Sequence, residues 1–359
     1  MLTNSLMIIL LTVLTVICLW DSKYKCQKEK FFDIKCGQAL RGIFCLIVVL
    51  VHVPLNYQNR IQDMIGSFAY VGVTYYFMIS SYGLKYSFDK KTEYFKLFWL
   101  KRIPKLLIPI ILINLLITLW GLLTGNYAFD IKSILYIDEW VRILILFYFA
   151  FWLIYKIPFT NGRRGWCWQD LIICGFVLVC SLLDKLTPIK ITSIWPTESI
   201  GFVWGIVLYD SIDFFQRYVN KKWLQKTSIM FVLAVVLGLI YLKFKSIYFW
   251  GDYCLKIILG EVLLILILCI MVRVDISNRI NLFLGRISYE VYLLHGYIFS
   301  IVRDVGKDTF NSGIYIWISI IVTIILAFVV NVISNWIYIK YHCFLEMCYN
   351  NVRIKRDKH

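Results

Sequence analysis

The chain has 359 residues, 60% of them hydrophobic and 17% charged, with a formal net charge of +16. Soluble domains carry about 25% charged residues, so this composition excludes an ordinary water-soluble globule and places the chain in a membrane. The excess of lysine and arginine reads as a basic inner face set against anionic membrane lipid, not as a nucleic-acid surface.

Apolar runs recur at 4–20, 38–56, 66–84, 97–120, 138–157, 168–184, 198–210, 227–243, 253–272, 286–302 and 313–339. A hydrocarbon core of about 30 Å takes about 20 helical residues, so the expected fold is all-α: a polytopic membrane protein of about 10–11 transmembrane helices. The run 198–210 is short, and is expected to be tilted, broken or re-entrant. The longest polar interval, Asp21 to Cys36, is too small for a soluble domain. The first run follows no basic residue, and its end at Cys18-Leu-Trp-Asp offers no small-residue cleavage site, so it reads as a retained helix.

Lysine and arginine set the orientation. With the N-terminus outside, the inner loops hold the cations of 21–37 (Lys28 and Lys30 among them), 90–96, Arg163 and Arg164, 217–226 and 273–279. The tail after 340 adds Arg353, Lys355, Arg356 and Lys358, while the outer loops hold scattered cations such as Arg60 and Lys307. This bias predicts a multi-pass protein of the cell membrane with a cytoplasmic C-terminus. The eleven cysteines, Cys26 included, form no C-x-x-C pair and read as small buried hydrophobes. The sequence shows no metal-ligand cluster and no glycine-rich phosphate loop.

Four stretches carry chemistry. Arg41 and His52 stand eleven residues apart in one apolar run. On a helix, eleven steps bring them to within about 20° of one face and about 16 Å apart, which predicts Arg41 at one membrane face and His52 near the midplane. A cation at the inner mouth holds an anionic ligand, and a neutral histidine in a low-dielectric core accepts a proton from a hydroxyl. The second stretch is Leu100-Lys-Arg-Ile-Pro-Lys-Leu-Leu-Ile-Pro109. Arg102 and Lys105 neighbour each other on one helical face, and the prolines are expected to free backbone N–H groups for phosphate at a helix start. The third stretch runs from Ala69 to Gly83; its small residues allow close helix approach, and Ser80 and Ser81 offer hydrogen bonds across a helix pair. The fourth, Leu284 to His295, places Ser288, Tyr292 and His295 on one polar stripe. Glu261 is the one carboxylate expected deep in a span, facing the bundle interior beside a partner from another helix.

Together these stretches resemble the membrane-bound acyltransferase-3 family, the polytopic O-acyltransferases of bacterial surface glycans. Arg41 and His52 match the family's Arg, ten residues, His element. Gly72-Val-Thr-Tyr-Tyr-Phe-Met-Ile-Ser-Ser81 resembles its glycine-aromatic-serine segment, with Ser81 in place of a glycine. Arg102-Ile-Pro-Lys105 resembles its R-x-x-R element, with the second guanidinium replaced by an amine. Gly285 to His295 is similar to its G-[RK]-I-S-Y-x-x-Y-L-x-H stretch. The resemblance divides the chain into an extra N-terminal helix and basic loop (1–37), an acyltransferase-3-like membrane domain (38–340) and a basic cytoplasmic tail (341–359).

The resemblance implies an acyl-CoA donor bound at the inner face, with phosphates near Arg41, Arg102 and Lys105 and the thioester reaching toward His52. It implies no permanently bound cofactor. His52 acts as general base or relays the acyl group covalently, His295 assists, and Ser80, Ser288, Tyr292 and Glu261 support. The acyl group is acetyl or, alternatively, succinyl, and the acceptor is a hydroxyl of a cell-surface or lipid-linked glycan. A second class of reading is a transporter or flippase for a glycan intermediate, with His52, Glu261 and His295 lining its path.

Overall fold

Each apolar run becomes a helix in the computed structural model, which describes residues 2–25, 31–54, 65–125, 130–157, 167–306 and 310–356. Helix α1 spans Leu2–Leu19, α2 Ile34–Val51, α3 Tyr70–Lys90 and α4 Phe98–Thr124. A single turn, α5 (Ile131–Ile134), leads into α6 (Glu139–Lys156) and α7 (Trp168–Leu186). Then come α8 (Gly201–Asn220), α9 (Trp223–Phe244), α10 (Lys256–Met271), α11 (Arg279–Gly306) and α12 (Ser312–Arg356). The only strands among the described residues, β1 (Lys23–Tyr24) and β2 (Val274–Asp275), pair antiparallel and tie the loop after α1 to the loop before α11. Cys26, Lys28, Lys30, Arg60, Arg163, Arg164, Lys307 and Lys358 lie outside the described residues, as do the side chains of Arg353, Lys355 and Arg356.

The protein is an all-α polytopic membrane protein. By length and composition alone, five segments among the described residues suffice to cross a bilayer: Ile34–Val51, Phe98–Thr124, Trp223–Phe244, Trp250–Met271 and Ser312–Cys348. Helix α12 exceeds that need: its 45 residues reach about 68 Å, roughly twice a hydrocarbon core. The short run 198–210 proves to be part of an unbroken helix. One 3-10 turn at Glu198–Ile200 leads directly into the 20 residues of α8. The run looked short because Asp210, Asp213 and Gln216 interrupt its hydropathy, yet these residues line an internal cavity and do not end the helix.

Two glycine contacts set the positions of the central helices. Helix α2 packs along α11, where Gly42 and Gly285 face each other. A β-carbon on Gly42 would crowd the Asn281 carbonyl oxygen and the Gly285 nitrogen, and one on Gly285 would overlap the Gln38 carbonyl. Small residues at such a crossing let the two backbones touch. Helix α3 packs along α8 in the same way. A β-carbon on Gly205 would overlap the Ser81 hydroxyl and the Met78 carbonyl, and one on Gly201 the Thr74 carbonyl. Ser81 stands where the family pattern has glycine, so the close approach is supplied by a glycine on the partner helix.

Helix α2 differs from expectation in its limits. Asp33 caps it, its carboxylate accepting from the Cys36 N–H at 2.7 Å, and Pro54 follows two residues after the C-cap His52. Arg41 therefore lies seven residues, about 10 Å, inside the helix, and His52 sits at its far end.

Candidate active site

A cavity of about 1990 Å³ opens between α2, α3, α4, α6, α8, α11 and α12. It exceeds the upper range of ordinary ligand pockets, about 1,000 Å³. Its wall brings together Arg41, Arg102 and Lys105, the three cations expected to hold phosphate, and adds Arg286. Arg102 Nη2 donates to the Tyr94 hydroxyl at 2.6 Å, and the guanidinium lies 5.1 Å from the Tyr148 ring centre and 5.5 Å from that of Phe98. Lys105 and Arg286 are exposed in this open cavity. Arg41 has its Nε buried without a hydrogen-bond partner. Among the described residues, none of the four cations forms an ion pair with a carboxylate.

The backbone around Arg102 corrects one expectation. Helix α4 begins at Phe98 and runs unbroken through Pro104 and Pro109. The helix start lies one turn before Arg102 and not at the prolines, and a proline removes an N–H donor instead of freeing one. Anion binding at this wall falls to the side chains.

The two imidazoles meet where the C-terminal end of α2 lies against the interior of α11. The rings of His52 and His295 lie 4.7 Å apart, centre to centre, inclined at 67°. His52 Nδ1 is 2.8 Å from the Val48 carbonyl, and His295 Nδ1 is 2.5 Å from the Tyr292 carbonyl and 3.3 Å from that of Val291. A carbonyl only accepts, so each Nδ1 carries a proton, and in the neutral ring the lone pair is on Nε2. The helical backbone thus sets both tautomers. His52 is exposed, whereas His295 is buried.

The remaining site residues divide. Ser80, Ser288 and Tyr292 line the cavity. The Ser80 hydroxyl donates to the Tyr76 carbonyl at 2.7 Å and that of Ser81 to the Met78 carbonyl at 3.1 Å, each within its own helix and not across the helix pair, and that of Ser288 to the Gly285 carbonyl at 3.0 Å. Tyr292 donates to Asp138 Oδ1 at 2.7 Å. Neither histidine lines the cavity, whereas Tyr76, Trp140 and Tyr292 do. Glu261 is not brought to this site. It lies on α10, with Oε2 buried and no hydrogen-bond partner among the described residues, so the expected partner from another helix is missing. Lys256 is engaged elsewhere, donating to Glu198 Oε1 at 2.7 Å.

Sequence reasoning passed over several residues that the fold assembles here. Arg286 and Glu290 belong to the stretch ending at His295, one turn apart, and both line the cavity. Glu290 accepts from Asn331 at 3.0 Å, while its Oε2 is buried without a partner. A charged pair inside an apolar helix was the available signal. Lys85 and Asp170 form a buried ion pair at 2.8 Å. Tyr155 also donates to Asp170, and so does the Cys167 thiol, at 2.8 Å. Nothing in the sequence links positions so far apart; only a lone lysine in the α3 run marked the place.

The all-α membrane bundle thus holds a cavity lined in part by cations and, at the C-terminal end of α2, a pair of histidines. The chain matches the Acyltransferase domain of the acyltransferase-3 family over residues 37–333 and belongs to that family. No curated protein and no solved structure matches the chain. The family assigns acyltransferase activity to the bundle.

Proposed function

We propose that the protein moves an acyl group, acetyl or succinyl, from cytosolic acyl-CoA to a hydroxyl of a cell-surface or lipid-linked glycan. The observation that carries the donor half is the set of four cations, Arg41, Arg102, Lys105 and Arg286, on one cavity wall without carboxylate partners among the described residues. Cations without carboxylate partners in an open cavity suit the phosphates of a nucleotide-bearing thioester, and charge-assisted bonds to phosphate are the strong ones. On this reading the basic end of the bundle faces the cytoplasm, with the C-terminus inside and the N-terminus outside, and the distribution of loop cations in the sequence supports it.

The acceptor half rests on the histidines and on the family resemblance. His52 is exposed at the far end of α2, where a hydroxyl from the outer side reaches it. In the direct route, the acceptor hydroxyl gives its proton to His52 Nε2 and its oxygen forms a bond to the thioester carbonyl carbon. The C–S bond breaks, and the CoA thiolate takes the proton back to leave as free CoA. In the relayed route, His52 Nε2 forms the first bond to that carbon as the C–S bond breaks and CoA leaves as its thiolate; the acceptor oxygen then bonds to the carbon as the C–Nε2 bond breaks, and the hydroxyl proton passes through His295 to the thiolate. His295 presents a second lone pair beside the first and assists the proton's movement.

The test is consumption of acetyl-CoA by the purified protein in lipid, with release of free CoA, and mass spectrometry of surface glycans with and without the protein. Acetyl esters that disappear with the protein support the reading. Glycans unchanged in its absence, with no CoA release from any acyl-CoA tried, overturn it.

A further inference from the structure

A run of aromatic side chains leads from the wall of the cavity to the histidine pair. Tyr76, Trp140 and Tyr292 all line the cavity. Their rings form a chain: Tyr76 to Trp140 at 6.2 Å, Trp140 to Tyr292 at 5.3 Å, and Tyr292 to His295 at 5.9 Å. The layer is pinned at both ends. The Tyr76 hydroxyl donates to the Arg41 carbonyl at 2.9 Å. Asp138 Oδ1 accepts both from the Trp140 backbone N–H at 2.9 Å and from the Tyr292 hydroxyl at 2.7 Å. One carboxylate thus fixes the start of α6, which carries the tryptophan, and the tyrosine from α11.

On the donor reading above, a thioester held in the cavity must bring its acyl carbonyl past these rings before a histidine can act on it. Everything on the acyl side of that carbonyl must pass or fit between them. We propose that Tyr76, Trp140 and Tyr292 are the acyl filter, the residues that set how long an acyl group the enzyme transfers. Trp140 is the largest of the three and is 7% exposed. Its indole N–H is also buried with no acceptor among the described residues. An acyl carbonyl passing the rings is an acceptor of the right chemistry, so the same residue admits the short group and orients it. Packed rings discriminate by volume, and a pocket of fixed size separates neighbours by about 10- to 200-fold per methylene.

The experiment uses the full-length protein in membranes that contain its acceptor, supplied with acetyl-, propionyl- or butyryl-CoA, and reads free CoA and acyl esters on the glycan. In the wild type, turnover should fall by about tenfold or more with each added methylene. In Trp140→Ala the butyryl-to-acetyl ratio should rise by about tenfold or more, while binding of CoA itself stays unchanged because CoA does not pass the rings. Trp140→Phe keeps a ring in the same place, and should shift the ratio the same way by less; it carries the test if the alanine variant does not fold. An unchanged ratio in a folded variant that still binds CoA overturns the filter. Failure of the wild type to release CoA from any donor instead overturns the acyl-CoA reading, so the two failures are distinct.

Discussion

Two groups of charge at the cavity are built on opposite plans. Lys85 and Asp170 saturate each other: the lysine donates to both carboxylate oxygens, at 2.8 and 3.0 Å, and Tyr155 and Cys167 fill what remains. Arg41, Lys105 and Arg286 have no such partners among the described residues, and Arg102 is held by a tyrosine hydroxyl and aromatic faces. A buried charge that is fully paired belongs to the fold, because removing one member strands the other. Cations left unpaired by carboxylates in an open cavity point to an anion from outside. The contrast separates structure from function without reference to motif, and it predicts different outcomes for mutation on the two sides.

The largest effect should come at the histidine pair, the part of the site that lies beyond both groups. His52→Ala is expected to lower transfer by about 10²–10⁴-fold, with the yield of folded protein unchanged because His52 is an exposed helix C-cap. Transfer and detergent-stable yield are measured together. Wild-type transfer in the variant would remove His52 from the mechanism.

Next in size is the paired group. Lys85→Met should leave Asp170 buried and uncompensated, costing about 3–5 kcal/mol of stability. The expected readout is a large loss of thermal stability in detergent. Replacing both members, Lys85→Met with Asp170→Leu, should recover much of it. A Lys85→Met protein of wild-type stability that no longer binds acyl-CoA would reverse the assignment and make Lys85 a ligand.

The unpaired group should answer the other way. Arg41→Ala and Arg102→Ala should weaken acyl-CoA binding by about 1–3 kcal/mol each, with little change in stability. Equilibrium binding of acetyl-CoA checks this. Unchanged affinity in both variants would sink the donor-site assignment.

Much of the fold was legible in the sequence because hydropathy is a local property: each of the apolar runs became a helix. Their limits were less so. Asp33 extends α2 backward by a capping hydrogen bond, and the polar end of α8 stays helical because a cavity, not lipid, receives its side chains. The cation wall was legible because Arg41, Arg102 and Lys105 stand within long apolar runs where charge is costly. The aromatic layer was not, since tyrosine and tryptophan are common in such runs and only the packing of α3, α6 and α11 brings these three together. Glu261 shows the reverse error. Charge deep in a span was read as function, and the fold places it away from the site, on α10.

The smallest expected effect tests whether the second cation of the α4 element acts as a point charge or as a fork. Lys105 is exposed in the cavity and has no ion pair among the described residues, three residues from Arg102. If it holds a phosphate through charge alone, Lys105→Arg keeps that charge on a stem of similar reach, and acyl-CoA affinity should stay within about twofold. If the site is shaped for a bidentate contact, the guanidinium should bind more tightly, because a planar fork loses less freedom per hydrogen bond than an ammonium. Lys105→Met gives the reference, since it keeps the apolar stem and removes the charge, and it should weaken binding. Side by side, the two variants divide charge from geometry. Tolerance of both would take Lys105 out of the unpaired group and leave Arg41, Arg102 and Arg286 to hold the donor.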